Sequence, residues 1–212
     1  MIIQLGETVI VKALAQLQQW TKDNLRPVPI AINISGKHLV SEDLVPFIKT
    51  QLDHFGIDGK FLEIEITEGV LLNDINRCIE VMTELKALNI NLCIDDFGTG
   101  YSSLNYLKRL PIDILKIDQS FVRECDTETE DFEICATIIN LAKNLGLTTV
   151  AEGVEKEQHW QILADLGCLI YQGYYFYEPL DHKQIEFLLA DKNIRVVDRL
   201  DSVSSSMPLT AN

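Results

Sequence analysis

Short β-branched runs alternate with longer stretches whose apolar residues recur every three or four positions along almost the whole chain. The runs suit strands buried on both faces and the stretches suit amphipathic helices, so the pattern predicts repeated β-α units around a parallel sheet. Six strands are expected, over Ile30–Ile34, Phe61–Ile66, Ile90–Ile94, Ile112–Ile117, Thr148–Ala151 and Leu169–Gln172. Ile75, Cys78, Ile79, Met82 and Leu85 mark the buried face of a helix after Asp74. Ile134, Cys135, Ile138, Leu141, Ala142 and Leu145 mark another, which Gly146 should end. A further helix is expected from about Lys156 to Leu166, stopping at Gly167, and a last one over about His182–Ala190. The first helix, about Glu7–Trp20, has no expected strand before it.

Six parallel strands fit an open doubly wound sheet or most of a (β/α)8 barrel. A barrel usually takes about 250 residues and eight strands, so 212 residues read as an α/β, TIM-barrel-like fold about two strands short at its N-terminal end. Residues 1–192 form the expected domain. Residues 193–212, with the run Ser202-Val-Ser-Ser-Ser-Met-Pro, read as a frayed tail.

Charge narrows the possible partners. With 18 Lys+Arg against 32 Asp+Glu, the formal net charge is −14. No basic stripe is available to replace phosphate counterions, which excludes duplex nucleic acid as a partner. A polyanionic substrate would therefore need metal help. The five cysteines form no C-x-x-C pair, a pattern of buried free thiols in a reducing cytosol. No basic stretch precedes an apolar core at the N-terminus, and no run of about 18 apolar residues occurs. A cytoplasmic chain with no membrane segment is expected.

The chemistry gathers at the carboxyl ends of the expected strands. In order these carry Asn33, Glu65 with Glu68, Asp95 with Asp96, Lys116, Glu152 with Glu155, and Gln172. Strand ends on that face converge in both candidate folds, and in barrels they hold the active site. Oxygen donors from Asn, Asp and Glu are the set preferred by Mg²⁺ or Mn²⁺, whereas the scattered histidines suggest no zinc or iron cluster. So many like charges in one mouth would repel without a cation. Two ions there would clamp a phosphodiester and activate water for in-line attack. Lys116 would orient that water or stabilise developing charge, and a pKa lowered by burial would let it act as base.

Each residue also has a bland reading. A single strand-end carboxylate is commonly a helix cap, which fits Glu68 and Glu155 best. Lys116 has a structural reading as the buried ion-pair partner of Asp95 or Asp118. Asp95-Asp96-Phe97-Gly98 shares only a tripeptide with kinases, and its two nearby glycines, Gly98 and Gly100, suggest a mobile, tightly turned loop over the site.

The segments AINIS, EIEITE, DDFGTGYSSLNYLKRLPIDILKID, AEGVE and QGYYFYEPL, in this order and spacing over about Ile3 to Leu189, resemble the EAL domains. These are bacterial phosphodiesterases that open cyclic di-GMP to linear pGpG with Mg²⁺ or Mn²⁺. The resemblance implies a modified (β/α)8 barrel, often dimeric, with Asn33, Glu65 and Asp95 as metal ligands, Asp96 on the second metal and Glu152 a ligand or close support. It further implies that Lys116 orients or activates water, that Glu155 and Gln172 support substrate or water positioning, and that Glu68 anchors the loop after Asp96.

The sequence departs from the family pattern at one end. The family's first two strands, the second bearing the Glu-Ala-Leu metal ligand, would precede the first helix here, and no Glu-Ala-Leu tripeptide occurs in the chain. The departure implies impaired turnover, and open sheet edges that favour a homodimer or a strand-completing partner. Two competing readings predict different outcomes. A catalytically inactive cyclic di-GMP-binding or protein-interaction module would bind without hydrolysis, and a proton-abstracting barrel with Lys116 as base would act on carboxylate substrates instead.

Overall fold

The computed structural model describes residues 1–72, 74–100, 104–125 and 129–191. The chain opens with α1 (Ile2–Lys22), β1 (Ile30–Asn33), α2 (Gly36–Leu39) and α3 (Leu44–Phe55). It continues through β2 (Leu62–Thr67), α4 (Ile75–Ala87), β3 (Asn91–Phe97), α5 (Leu104–Leu107), β4 (Ile114–Ile117) and α6 (Gln119–Arg123). It ends with α7 (Glu130–Leu145), β5 (Thr148–Glu152), α8 (Glu157–Leu166), β6 (Ile170–Gln172) and α9 (His182–Ala190). Short 3₁₀ turns cover Gly59–Phe61 and Glu68–Leu72. The expected tail falls outside the described residues, as do Tyr101, Ser102 and Ser103 of the expected loop.

All six strands pair in parallel and in sequence order, β1 through β6. The sheet curls into an incomplete TIM-barrel-like fold, and among the described residues no ladder joins β6 back to β1. Helix ends follow the residues expected to end them. Gly146 and Gly167 close α7 and α8 in the left-handed conformation, with φ of 72° and 97°. Asp181 and Gln184 form a capping box at the start of α9.

Helix α1 starts at Ile2 rather than near Glu7. Gly6 lies inside it because His38 packs there: a Cβ on Gly6 would stand 2.4 Å from Nδ1 of His38. Further along the same face of α1, Ile10, Leu14, Leu17 and Trp20 are buried in the main core, together with Ile48 of α3, Met82 and Leu85 of α4 and Cys135 of α7.

Strand alternation divides each strand between two faces. On β2, Leu62, Ile64 and Ile66 join the core under the helices, while Glu63 and Glu65 take the other face. Register carries the same division across the sheet, pairing Asn33 with Glu65, Thr67 with Asp95, and Glu152 with Gln172. A small separate apolar cluster of Cys93, Ile114 and Val150, with Ile170 against it, lies two residues before Asp95, Lys116, Glu152 and Gln172 on their strands. It floors the face on which those polar residues stand. Burial there pushes the Cys93 thiol well above the ordinary cysteine range, and the Glu65 carboxylate adds to the shift. The cysteines are all free and buried.

Candidate active site

The four inner strands bring Glu65, Asp95 and Glu152 onto the ammonium group of Lys116. Nζ of Lys116 lies 2.6 Å from Glu152 Oε1, 2.8 Å from Glu65 Oε1 and 2.9 Å from Asp95 Oδ1. Asn33 extends the cluster from β1, its Nδ2 donating to Glu65 Oε2 at 2.9 Å. Lys116, Glu65 and Asp95 are buried. Burial alone would lower the lysine pKa. The contacts with Asp95, Glu152 and Glu65 outweigh burial and push it above its ordinary value, so the group is a fixed cation. The direction is opposite to the lowered pKa expected of a lysine acting as base. Lys116 takes Asp95 as a partner and not Asp118.

Asp95 and Asp96 reach the same site through an irregularity. Successive residues of a regular strand point to opposite faces, but the pairing of β3 with β4 shifts register between Ile94 and Phe97. Asp96 sits there at φ 53°, in the left-handed region that Asp tolerates better than most residues. Oxygens of Asp95, Asp96 and Glu152 consequently lie within 4.8 Å of one another. Burial, the Asp95 charge and contact with Asp118 raise the Asp96 pKa. Burial likewise raises that of Glu152, although Lys116 pulls it back.

The donor set fits a hard divalent cation. Glu65, Asp95, Asp96 and Glu152 place four carboxylates around one ammonium, leaving negative charge in excess. Oδ1 of Asp95 is buried and, apart from its ion-pair contact with Lys116, accepts no hydrogen bond. All the donors are oxygens, as Mg²⁺ and Mn²⁺ prefer.

The remaining expected residues stand around this centre. Gln172 is level with Glu152 on the β6 edge, and its side chain is exposed without a partner among the described residues. Glu155 lies outside the Lys116 cluster and accepts from Arg123 Nε at 3.0 Å and Nη2 at 2.8 Å. Glu68 lies under the loop after β3, where Oε2 accepts from the Gly98 N–H at 3.4 Å. Neither glutamate caps a helix, since α8 begins after Lys156 and Glu68 starts a 3₁₀ turn.

Asp118 was not singled out as a site residue. It touches Asp96, caps α6 through the Ser120 N–H, and has its pKa held down by the Ser120 contacts against the upward pull of burial. The available signal was its place two residues beyond Lys116. Arg123 was missed for lack of any strand-end position.

The model of the EAL domain matches residues 1–179. The chain belongs to the EAL domain family. Cyclic di-GMP phosphodiesterase NbdA of Pseudomonas aeruginosa is 39% identical to this EAL domain over 189 residues, 89% of the chain and 24% of the relative. The chain spans about a quarter of the length of the first curated relatives it matches. The PaMucR phosphodiesterase, solved as a c-di-GMP complex, superposes with a TM-score of 0.81 at 36% identity, over 87% of this chain and 80% of that one. Klebsiella pneumoniae BlrP1, in a manganese/cy-diGMP complex, gives 0.74 at 29% identity, over 82% and 44%. Among the described residues no helix of this EAL domain is long and apolar enough to cross a membrane.

Proposed function

We propose that this chain carries a metal-dependent phosphodiesterase site that hydrolyses cyclic di-GMP to pGpG, with residues 1–192 as the functional unit. The observation that carries the reading is the convergence of Asp95, Asp96 and Glu152 oxygens within 4.8 Å, beside the buried Lys116 ammonium. Asn33, Glu65, Asp95, Asp96 and Glu152 would hold the ions. Mg²⁺ or Mn²⁺, when bound, supplies charge neutralisation at the phosphoryl oxygens and a lowered pKa for the attacking water. Lys116, its N–H groups held by Glu65, Asp95 and Glu152, contributes a fixed positive charge that keeps those carboxylates in place and stabilises charge developing on the phosphate. Asn33 holds the Glu65 carboxylate toward the centre. Gln172, exposed at the β6 edge, would donate to substrate or water, and Glu68 would hold the loop after Asp96 through the Gly98 N–H.

Two features favour a second reading, a cyclic di-GMP-binding or protein-interaction module without turnover. The sequence contains no Glu-Ala-Leu tripeptide, and among the described residues no ladder joins β6 to β1. These edges support completion by a second copy or a strand-donating partner. The free buried thiols support a cytoplasmic setting.

The test is calorimetric titration of the purified chain with cyclic di-GMP in Ca²⁺, followed by chromatography of the products formed in Mg²⁺ and in Mn²⁺. Binding with release of pGpG supports the phosphodiesterase, at a turnover expected to be below that of a domain bearing the Glu-Ala-Leu strand. Binding alone supports the module. A folded chain that does neither overturns the phosphodiesterase and the cyclic di-GMP-binding module, and leaves only protein interaction.

A further inference from the structure

The turn from Glu152 to Glu155 carries one carboxylate of the site at one end and an ion pair at the other. Contacts on three sides fix it. From the β6 side, the Val154 N–H donates to Gln172 O at 3.0 Å, and the Tyr175 N–H donates to Val154 O at 3.0 Å. From the α6 side, Gly153 sits at φ 70° so close to Gln119 that a Cβ there would lie 2.6 Å from that residue's Cβ. At the outer end, Arg123 directs Nε and Nη2 onto Glu155 Oε1. The first residue of α6 follows Asp118, which touches Asp96, and its last residue is Arg123. One short helix thus spans the distance between the two aspartates of β3 and the far end of the β5 turn.

We propose that Arg123 is a positioning residue: through Glu155 it clamps the 152–155 turn against α6, and so fixes the Glu152 carboxylate opposite Asp95 and Asp96. The inference rests on the metal-site reading above and adds to it a residue that touches neither ion nor substrate. The side chains of Arg123 and Glu155 are 51% and 39% exposed, so the pair adds little to folding stability. Its loss should register at the site and leave the melting temperature in place. The fork also matters, because a lysine keeps the charge but offers no paired, planar N–H groups.

Mn²⁺ binding to the metal-stripped full chain, measured by calorimetry, tests the proposal without depending on turnover. Arg123→Gln should weaken Mn²⁺ binding by about three- to fivefold with an unchanged melting temperature, an effect of the size an exposed ion pair can transmit. Arg123→Lys should recover part of the loss. Glu155→Gln should weaken binding to the same degree, and the double variant no further, because both substitutions open one clamp. Arg123→Gln binding within twofold of the parent, or losses that add in the double variant, would overturn the clamp while leaving the metal site standing. A folded parent chain that takes up no Mn²⁺ overturns the metal-site reading itself, and the clamp with it.

Discussion

Strands β2 to β5 and the edge strands β1 and β6 end in residues of similar polarity but hold them differently. Glu65, Asp95 and Lys116 are 8%, 8% and 6% exposed, and together with Glu152 they share three ion-pair contacts around one ammonium. At the edges, Asn33 keeps one side-chain bond, to Glu65, and the Gln172 side chain has none among the described residues. A strand paired on both sides has its height and facing fixed twice, so its last side chain is aimed. An edge strand is fixed from one side only, and its polar terminus stays in solvent.

The contrast is broken most forcefully at its centre. Lys116→Ala leaves Glu65, Asp95 and Glu152 without their shared cation and should destabilise the metal-free protein by about 3–5 kcal/mol in urea titrations. Hydrolysis should fall by at least about a hundredfold. Added Mn²⁺ should restore part of the stability, since it offsets the same excess charge. A loss of stability no greater than that of Gln172→Ala would remove the distinction between centre and edge.

Gly173 joins the two regions. A Cβ there would lie 2.1 Å from Val154 O and 2.4 Å from Val154 N, both rigid backbone atoms. Gly173→Ala should cost about 1–3 kcal/mol. Hydrogen exchange should show protection lost first in β6 and the 152–155 turn, with β2 to β4 unchanged.

The other edge has a pH dependence of its own. Burial lowers the pKa of His38, with Glu7 pulling weakly the other way, and its Nδ1 is buried without a partner. The folded state therefore binds this proton less readily than the unfolded chain. The contribution is neutral above the ordinary value of 6.5 and turns destabilising as pH falls through it toward the lowered folded value. His38→Gln should flatten the acid limb of a plot of urea midpoint against pH. Exchange at α1 and α2 should rise in acid before that of β2 to β5.

The smallest effects belong to the edge side chains. Asn33→Ala forfeits one hydrogen bond and should cost about 1 kcal/mol. Gln172→Ala should stay within about 0.5 kcal/mol while lowering kcat/KM. An equal stability loss for Gln172 and Glu65 substitutions would show that the edge is as fixed as the centre.

Much of the framework was legible from the chain. Each expected strand overlaps an observed one, and Gly146, Gly167 and the span His182–Ala190 mark helix ends as read from the sequence. These features depend on period and local backbone preference, which neighbouring residues encode. The expected third strand, Ile90–Ile94, stopped short of the site, whereas β3 runs from Asn91 through Phe97 and carries both aspartates inside the sheet. Its register shift reflects the partner strand, and nothing in Asp95-Asp96 alone announces it.

Sequence by itself determined the alternation of strands and helices, the polar residue ending each strand, and the excess of acid over base. These are properties of composition and of spacing along the chain. Only the tertiary structure decided that Lys116 is a fixed cation shared by three strands, that Asp96 turns to the side of Asp95, and that Arg123 reaches Glu155 across 32 positions of chain. Those outcomes depend on distances between residues remote in sequence, and on the burial that strengthens charge at such distances.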